Sequence, residues 1–586
     1  MIVIKCKNNS DLNRAYHLMK AFFPNQEIKQ QINTEQEPQL EFILDDGSCF
    51  TVLPEEASED EEKGTLVKKV YDVLSEYTNK TLPWGILTGV RPTKLAMKAI
   101  MEGTREKDRG VEGDDEDRKE SIITREDRES QISREEIEKI LCEKYYLSGE
   151  KAKLAVEVAK REKELLATLD LENDFSLYVS IPFCPSICSY CSFGSGELEK
   201  WQDKVDEYLD RLCDEITAVG DIIDERIERK SEERKSEERK SEERRKEFGE
   251  INSDEKKTLR KLNTIYIGGG TPTTLNTEQF EKLFNTIKKT FSLDHLIEYT
   301  VEAGRPETIT REKLRLFKGT GVTRISINPQ SMNQKTLDRV GRNHKVSDIV
   351  EAFKLARQEG FDNINMDLII GLPGEGVSEV IATLEQIKEL EPDSLTIHTL
   401  AMKRGSEASN EHKEKFEEEK RKKEKKDGKE EVDIKKDSNP IEVNHSEDNC
   451  MEEIVKEDNI KNINNMLNLC YDAAKEMSLT PYYLYRQKNI AGNFENVGFA
   501  KVDKAGIYNI LIIEELQTIV GVGVGATTKI VTKEKKIVKK DENRTRQDEE
   551  CSLTIRRQAN TKNIKKYIAE GGRNTSAPSK LFKGVS

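Results

Sequence analysis

The chain has 586 residues, of which 35% are charged and 35% hydrophobic, and its formal net charge is −15. This length predicts several domains, and so polar a composition predicts disordered stretches among them. The acidic balance argues against nucleic-acid binding, and the sequence has neither a bilayer-spanning apolar run nor a signal-peptide segment. We therefore expect a soluble cytoplasmic protein that binds no nucleic acid and has no membrane span.

Residues 1–100 predict a small α+β domain. Short strand-like runs flank an amphipathic stretch at 12–23, and Asp45-Asp46-Gly47 predicts a hairpin turn. The run PWGILTGVRP at 83–92 is interpreted as a turn that docks this domain on the next. A helical linker is expected at 136–174.

Four stretches are too charged to pack a core: about 103–135, 225–260, 406–460 and 533–550. The second contains KSEER three times in succession, from Lys230 to Arg244. Alternating charges can support a solvated single helix, but this stretch has no apolar face. All four are predicted to be disordered surface insertions, which chains tolerate because the cost of loop closure grows slowly with length.

Residues 175–405 alternate between two kinds of segment once the insertion at 225–260 is removed. Strand-like runs occur at 176–181, 264–267, 297–301, 324–327, 364–370 and 394–398. Helical patterns occur at 203–223, 277–290, 311–317, 346–358 and 377–390. This alternation predicts an α/β fold with parallel strands and crossover helices. Six units favour a partial (β/α)6 barrel over a full barrel of eight.

The loop after the first of these strands carries Cys184, Cys188 and Cys191 in the spacing CxxxCxxC. Three thiolates on one short loop are soft ligands that select zinc or an iron–sulfur cluster. Structural zinc usually takes four ligands, and no second cysteine or histidine pair is near in sequence. On a four-iron cluster, three cysteines leave one iron open to a cofactor or substrate. Three incidental cysteines remain the alternative on spacing alone.

Other unusual residues follow the predicted strands at their carboxyl ends, where parallel α/β sheets hold reactive groups. The turn GGGTPT at 268–273 follows the second strand, and its glycines let a ligand approach the backbone. Glu302, Gln330, Asp367 and residues 399–401 occupy the later strand ends. Each alone is typical of a turn, cap or loop, but together around one mouth they favour a site.

These motifs resemble the radical S-adenosylmethionine (SAM) superfamily, in which a CxxxCxxC loop binds a [4Fe-4S] cluster and SAM chelates the fourth iron. YVSIPFC, IYIGGGTPT, GRNH and DLIIGLPGE are similar to the oxygen-independent coproporphyrinogen III oxidase (HemN-like) group. PWGILTGVRPTKL and PYYLYRQKNIAGNFENVGF resemble its HemZ-type branch, coproporphyrinogen dehydrogenase. The haem-chaperone branch carries an HNxxYW-like segment where this chain has GNFENVGF, which favours the HemZ-type branch.

The resemblance implies roles for individual residues. Cys184, Cys188 and Cys191 match the metal ligands. Cofactor contacts are implied for Tyr178, Gly269, Gly270, Thr271, Glu302, Gln330, Arg342, Asp367, Ile369 and Ala401, with Tyr178 and Glu302 also implied as catalytic. Arg342 suits the SAM carboxylate, because a guanidinium can pair a carboxylate through two hydrogen bonds.

Two positions depart from the decarboxylating enzymes of the group. Phe193 stands where they have a further cysteine, and Ser180 where they have histidine. A porphyrinogen with four carboxylates needs cationic and aromatic partners, which the stretch 482–488 offers. Within it, Tyr485 and Arg486 are the candidate substrate contacts, and the alternative is that its tyrosines belong to the core.

The function that the resemblance implies is oxidative decarboxylation of coproporphyrinogen III propionates to vinyl groups, giving protoporphyrinogen IX. Residues 461–586 are then a C-terminal substrate-associated domain, and a one-electron donor such as flavodoxin or ferredoxin is an expected partner. Two alternatives remain open from the sequence: a haem or porphyrin carrier resembling a chaperone, and a radical SAM enzyme acting on another substrate.

Overall fold

A computed structural model of the chain describes residues 1–6, 9–23, 26–32, 40–44, 46–52, 59–89, 91–109, 133–191, 195–224, 261–400, 457–486, 494–537 and 549–570. Most of the four charged insertions therefore lies outside the described residues, and so do Phe193, Ala401 and Lys488. Among the described helices, none has the length and apolar content that a membrane crossing needs.

The strands and helices of the described residues are numbered here in chain order. The strands are β1 (Ile2–Cys6), β2 (Ile28–Ile32), β3 (Leu40–Ile43), β4 (Cys49–Val52), β5 (Phe175–Ile181), β6 (Phe183–Cys184), β7 (Gly196–Glu197), β8 (Leu262–Gly269), β9 (Glu298–Glu302), β10 (Arg324–Ser326), β11 (Ile364–Ile370), β12 (Ser394–Thr399), β13 (Thr480–Arg486), β14 (Glu495–Ala500), β15 (Thr518–Val522), β16 (Thr527–Ile537) and β17 (Glu549–Ala559). The helices are α1 (Asn9–Phe22), α2 (Glu59–Thr78), α3 (Thr93–Arg109), α4 (Arg134–Tyr145), α5 (Gly149–Leu166), α6 (205–224), α7 (Thr277–Thr290), α8 (Arg311–Gly319), α9 (Gln334–Arg339), α10 (Val346–Gln358), α11 (Val377–Leu390), α12 (Glu457–Glu476), α13 (Ile507–Glu514) and α14 (Ile564–Glu570).

The chain forms two compact units. The first consists of Met1–Glu164, Ile369–Glu385 and Thr396–Ala500, and the second of Leu165–Leu368, Gln386–Leu395 and Lys501–Ser586. Several helices of the second unit begin at a side-chain cap, since Asn276, Thr310 and Asn333 accept from backbone N–H groups of α7, α8 and α9.

The first unit contains a small mixed sheet in the order β2-β1-β3-β4. Strand β1 is parallel to β2 and antiparallel to β3. Helices α1 and α2 contribute Leu18 and Leu74 to a core that also includes Ile4 and Phe42. This arrangement of helices on a sheet is the predicted amino-terminal α+β structure.

A buried charged group joins distant parts of the first unit. The Glu495 carboxylate, on β14, accepts hydrogen bonds from Trp84 Nε1 at 2.7 Å, Lys151 Nζ at 2.5 Å and the Tyr471 hydroxyl at 2.7 Å. Arg486, on the neighbouring antiparallel strand β13, donates to Leu87 O at 2.6 Å. These contacts hold Trp84 and Leu87 within the first unit.

The sheet of the second unit confirms the predicted parallel arrangement. Strand β5 pairs in parallel with β8, β8 with β9, β9 with β10 and β10 with β11, so neighbouring strands follow the chain order. The first residue of β12, Ser394, donates from its hydroxyl to Asn365 Oδ1 on β11 at 3.1 Å. Residues such as Leu177, Ile265 and Val301 are fully buried, because helices cover both faces of such sheets.

The carboxyl-terminal segment enters this sheet beside β5. Strand β15 runs parallel to β5, with Thr518 opposite Phe175, and the β16–β17 hairpin continues from it. The units thus divide the predicted C-terminal stretch between residues 500 and 501, because β15 forms its hydrogen bonds with β5. The hairpin strands also extend into the stretch 533–550, which the sequence predicts to be an insertion.

Candidate active site

The cysteine loop and the GGGTPT turn lie against each other at the carboxyl ends of β5 and β8. The two strands end in register, with Ile181 opposite Gly269. The Gly270 N–H donates to Ile181 O and the Thr271 N–H to Phe183 O, each at 2.7 Å. The backbone that leads into Cys184 is thereby fixed on the turn.

The two central glycines of the turn make this close contact possible. Gly269 has φ +113°, which side-chain-bearing residues rarely adopt. A Cβ on Gly270 would lie 2.7 Å from Phe183 O and 3.0 Å from Cys184 Sγ. The sequence predicts that these glycines admit a ligand to the backbone, and the structure shows that they admit the cysteine loop.

None of the three loop thiols forms a disulfide, and all three are partly exposed. Thr271 Oγ1 donates to Cys184 Sγ at 3.5 Å, and the Cys191 N–H donates to Cys188 O at 2.9 Å. Burial raises the pKa of the Cys184 thiol, an effect that the Thr271 hydroxyl partly offsets. Within the described ranges, no three histidine, cysteine or carboxylate side chains stand close enough to hold a metal ion as they are.

An aromatic stack lies on β5 and β8, next to the carboxyl group of Glu302 at the end of β9. Tyr178 is opposite Tyr266, and Tyr508 stacks on both rings, with its centroid 6.2 Å from Tyr178 and 4.6 Å from Tyr266. The Tyr266 hydroxyl donates to Glu302 Oε1 at 2.6 Å. Burial raises the pKa of Glu302 to about 7, against the lowering effect of the Tyr266 hydrogen bond and with a further raising effect of Asp367. This carboxyl group therefore changes charge near neutral pH.

Gln330 follows β10 in an unusual conformation. Its φ of +66° is in the left-handed region, which costs a non-glycine residue about 1 kcal/mol or more and is often found at ligand sites. The Gln330 N–H donates to Asp367 O at 2.9 Å, which ties it to β11. Its buried side-chain oxygen Oε1 has no hydrogen-bond partner in the structure. A ligand hydroxyl or N–H group could donate to it.

Arg342 supports the cysteine loop from the other side. It is buried, and its Nη2 donates to Gly304 O at 2.6 Å and Asn328 O at 2.7 Å. Its Nη1 donates to the hydroxyl of Tyr190, the residue before Cys191, at 3.3 Å. Nε is buried without a partner. Protein oxygens thus occupy both Nη groups of the predicted carboxylate-binding residue.

The other predicted contacts are distributed as follows. Ile369, in β11, belongs to the first unit, as does Tyr485, whose hydroxyl lies 3.4 Å from His398 Nδ1. Arg486 is 2% exposed and its guanidinium lies 5.7 Å from the centre of the Trp84 ring. Its observed contacts are those of a structural residue, because it binds the 83–92 run.

Ser180, at the position where the decarboxylating enzymes have histidine, is buried. Its hydroxyl donates to Val524 O at 2.8 Å, and Tyr208 donates to Ser180 O at 2.6 Å. A Cβ on Gly523 would lie 2.6 Å from Ser180 O. The serine therefore fixes the β15–β16 turn on β5, and this turn leaves little space for a larger side chain.

Sequence reasoning missed three residues of this region. Tyr266 could have been found from its place opposite Tyr178 on the next predicted strand. Tyr508 gives no local signal, because only the folding of the C-terminal segment brings it to β8. Arg305, three residues beyond Glu302, donates from Nη1 to Cys188 Sγ at 3.3 Å. It could have been found in the sequence as a charged residue soon after the end of a predicted strand.

Comparison with known proteins gives matches over most of the chain. A family model described as the Radical SAM superfamily matches residues 178–387. The oxygen-independent coproporphyrinogen-III oxidase-like protein HemZ of Bacillus subtilis (strain 168) is 35% identical over 477 residues, which cover 80% of this chain and 75% of HemZ. The heme chaperone HemW of the same organism is 32% identical over 226 residues, 38% of this chain and 50% of HemW. The solved structure of coproporphyrinogen III oxidase (HemN) from Escherichia coli, a radical SAM enzyme, covers 72% of this chain and 73% of its own, at 19% identity and a TM-score of 0.42.

The parallel α/β sheet, the three-cysteine loop and the family match over 178–387 together define a radical SAM protein. The match to HemZ covers 80% of this chain and indicates a narrower family. Because it joins 35% identity to coverage of three-quarters of the relative, the chain belongs to the family of oxygen-independent coproporphyrinogen-III oxidase-like proteins. The family resemblance predicted from the motifs is confirmed.

Proposed function

We propose that this protein catalyses the oxygen-independent oxidative decarboxylation of coproporphyrinogen III, with a [4Fe-4S] cluster and SAM as cofactors. The main support is the cysteine loop fixed on the GGGTPT turn, in a chain 35% identical to HemZ over 75% of its length. Two propionate side chains each lose a hydrogen atom to the radical, then carbon dioxide, and one electron to a one-electron acceptor, and become the vinyl groups of protoporphyrinogen IX. A one-electron donor such as flavodoxin or ferredoxin is the partner in this proposal.

Cys184, Cys188 and Cys191 would hold the cluster. The donor set fits this group, because three cysteine thiols share one loop and soft thiolates are the usual ligands of iron–sulfur clusters. Loops can adjust as a ligand binds, so the thiols need not stand at their final separation beforehand. When bound, the cluster and SAM together supply a 5′-deoxyadenosyl radical that takes a hydrogen atom from the substrate.

The strand ends supply polar groups that suit SAM. Gln330 Oε1, which has no protein partner, is placed to accept from a ribose hydroxyl or an amino group. Glu302 can take either charge state near pH 7. The stacked rings of Tyr178, Tyr266 and Tyr508 exclude water from this carboxyl group and present an apolar surface beside it. These residues bind and orient the cofactor in the proposal.

The substrate contacts follow less directly. Tyr485 stays a predicted contact, since its hydroxyl belongs to a half-buried side chain. Arg486 is assigned a structural role, because its guanidinium is buried on Trp84 and Leu87. Ser180 replaces a histidine, and its hydroxyl is engaged by Val524 O, so this chain would have to bind the porphyrinogen without an imidazole at that place.

The experiment that tests the proposal is anaerobic reconstitution of the full chain, followed by incubation with SAM, dithionite and coproporphyrinogen III. We expect 5′-deoxyadenosine, the tripropionic intermediate and protoporphyrinogen IX, measured by chromatography after oxidation to porphyrins. Formation of 5′-deoxyadenosine without either porphyrin product would contradict the substrate assignment and leave a radical SAM enzyme for another substrate.

A haem carrier is the second candidate, and the match to heme chaperone HemW over 226 residues favours it. The same reconstituted protein should be titrated with haem under reducing conditions. Stoichiometric haem binding that survives gel filtration, together with no conversion of coproporphyrinogen III, would replace the enzyme proposal by the carrier. Conversion without haem retention would exclude the carrier role.

A further inference from the structure

Arg305 places a buried positive charge against the cysteine loop. It follows β9 and is 4% exposed. Its Nη1 donates to Cys188 Sγ at 3.3 Å, and its Nη2 donates to the Ser186 hydroxyl. Both acceptors lie in the segment from Cys184 to Cys188, which holds the first two predicted ligands, so one guanidinium contacts the loop at two points. A buried arginine needs such partners, because an uncompensated charge in the interior is costly.

A second pair of side chains fixes the orientation of this guanidinium. Arg305 Nε donates to Glu307 Oε1 at 3.0 Å, and the other oxygen of Glu307 lies 2.9 Å from Nδ1 of the buried His344. All three nitrogens of the guanidinium group are thereby engaged. Burial raises the pKa of Glu307, but His344 and the Arg305 charge lower it to about 2, so Glu307 is an anion at neutral pH.

We infer that Arg305 is a positioning residue that raises the reduction potential of the cluster, and that Glu307 moderates this effect. The inference rests on the proposed function, since it requires a cluster on Cys184, Cys188 and Cys191. Hydrogen bonds to the cysteine sulfurs and the net charge near a cluster are among the factors that set its potential. Reduction adds one negative charge. A cation that donates to Cys188 Sγ favours the reduced state, and the Glu307 carboxylate opposes it in part.

This arrangement has a consequence for electron transfer to the protein. A cluster that must accept an electron before SAM can be cleaved is easier to reduce when a fixed guanidinium faces one of its ligands. The contact between Arg305 and Cys188 leaves the three cysteine ligands as they are. Arg305 therefore adjusts the reduction potential of the cluster independently of which residues bind it.

The test is a redox titration of the reconstituted protein, followed by electron paramagnetic resonance (EPR), on the native chain and on Arg305→Gln, Arg305→Lys and Glu307→Gln. In Arg305→Gln the preference for the reduced state should weaken about tenfold, a shift of about 59 mV to more negative potential for one electron. Arg305→Lys should recover part of this shift, because it keeps the charge. Glu307→Gln should shift the potential in the opposite direction.

Arg311→Gln is the matched control, because Arg311 pairs with Glu359 on partly exposed side chains away from the loop. Its potential should equal that of the native chain. An Arg305→Gln variant with full iron and sulfide content and an unchanged potential would overturn the inference. If that variant does not assemble a cluster, Glu307→Gln decides, and an unchanged or more negative potential there overturns the inference too.

The native chain separates this inference from the proposed function. If the native protein assembles no [4Fe-4S] cluster by iron and sulfide analysis and EPR, the cofactor proposal itself fails. If the native cluster forms and cleaves SAM while the Arg305 and Glu307 variants keep the native potential, only the inference about Arg305 fails.

Discussion

Glu495 in the first unit and Glu302 in the second are carboxyl groups with opposite surroundings. Glu495 is fully buried and accepts from Trp84, Lys151 and Tyr471, and although burial raises its pKa, the charge and hydrogen bond of Lys151 lower it overall. Near Glu302 burial dominates and raises the pKa to about 7. The first carboxylate is satisfied by the protein, and the second is left able to respond to a ligand.

The same contrast extends to the neighbours of each group. Around Glu495 the cation and the hydroxyl and indole donors all serve one carboxylate, which is how a protein stabilises a buried charge. Around the second unit's strand ends, Gln330 Oε1 and Arg342 Nε are buried without partners. A native structure rarely leaves such atoms unpaired, and these two lie where the proposed cofactor would bind. Buried atoms without partners also occur elsewhere, as at the Tyr299 hydroxyl, so incomplete pairing indicates a site only together with a position at the strand ends.

The largest expected effect concerns the cysteine loop. Cys184→Ser should abolish the cluster and with it SAM cleavage, because a hydroxyl is a poor ligand for iron in such clusters and Cys184 is one of three candidate ligands. Iron and sulfide analysis and the visible absorption of the reconstituted variant measure this. Cys213→Ser in α6 is the control and should keep a full cluster, since Cys213 lies outside the loop. A full cluster in Cys184→Ser would refute the ligand assignment.

The second prediction tests whether the first unit's charged group is structural. Lys151→Met leaves Glu495 buried without its cation, and removal of one partner of a buried pair typically costs about 3–5 kcal/mol. The chain has two tryptophans, so in a Trp201→Phe background Trp84 fluorescence reports unfolding of the first unit in urea. The denaturation midpoint should fall markedly.

Lys139→Met provides the matched control for this measurement, because Lys139 belongs to the same unit. Lys139 pairs with Glu143 at 3.8 Å on the surface, with side chains 71% and 68% exposed, and exposed pairs contribute little. Its midpoint should stay at the native value. An equal fall in both variants would show that the loss of the lysine, and not of a buried pair, is responsible.

The third prediction concerns Gln330 and separates an effect on SAM binding from an effect on stability. Gln330→Gly removes the unpaired side-chain oxygen and relieves the positive φ, so the stability should be unchanged or slightly higher. SAM affinity should fall about tenfold, which is about 1.4 kcal/mol and within the cost of a lost hydrogen bond to a buried group. Anaerobic equilibrium dialysis of the cluster-loaded protein measures it.

Asp503→Gly is the control for the backbone effect, since Asp503 is an exposed residue of the second unit with φ +61°. It should show the same relief of strain with native SAM affinity. Native affinity in Gln330→Gly would mean that the unpaired oxygen serves another purpose than SAM binding.

Much of the second unit's fold can be predicted from sequence, because each strand and crossover helix carries its own local pattern. The order of strands from β5 to β11 follows from that alternation. The position of β15 does not, since it depends on contacts such as that between the Ser176 hydroxyl and Gln517 Oε1, 341 positions apart and 2.8 Å from each other. Local patterns do not contain pairings over such distances.

The candidate site divides in the same way. The cysteines, the glycine turn and the polar strand ends are visible because their spacing and position after strands are sequence properties. The burial of a charged side chain, in contrast, cannot be seen in the sequence. Arg486 therefore looks like a substrate contact in sequence, although its side chain packs on Trp84. Arg305 is not among the contacts predicted from the sequence, although it donates to Cys188.

The last prediction is a pH dependence of opposite sign for the two carboxyl groups. An unfolded glutamate has a pKa near 4.5, whereas Glu302 in the folded chain has one of about 7, with Tyr266, Asp367 and Arg324 as its charged or titratable neighbours. Between these values the folded state keeps a proton that the unfolded state releases. Stability due to Glu302 therefore falls as the pH rises from about 4.5 to 7.

Glu302→Gln cannot titrate, so the native chain should lose stability relative to this variant as the pH rises from about 4.5 to 7, as measured by urea midpoints. Glu495 acts in the opposite window, because its lowered pKa gives stability that is present above about 4.5 and lost as the pH falls further. Parallel native and Glu302→Gln curves would mean that Glu302 titrates as it does in the unfolded chain. The two carboxyl groups would then differ in their contacts but not in their electrostatics, and Glu302 could not change its charge near neutral pH when SAM binds.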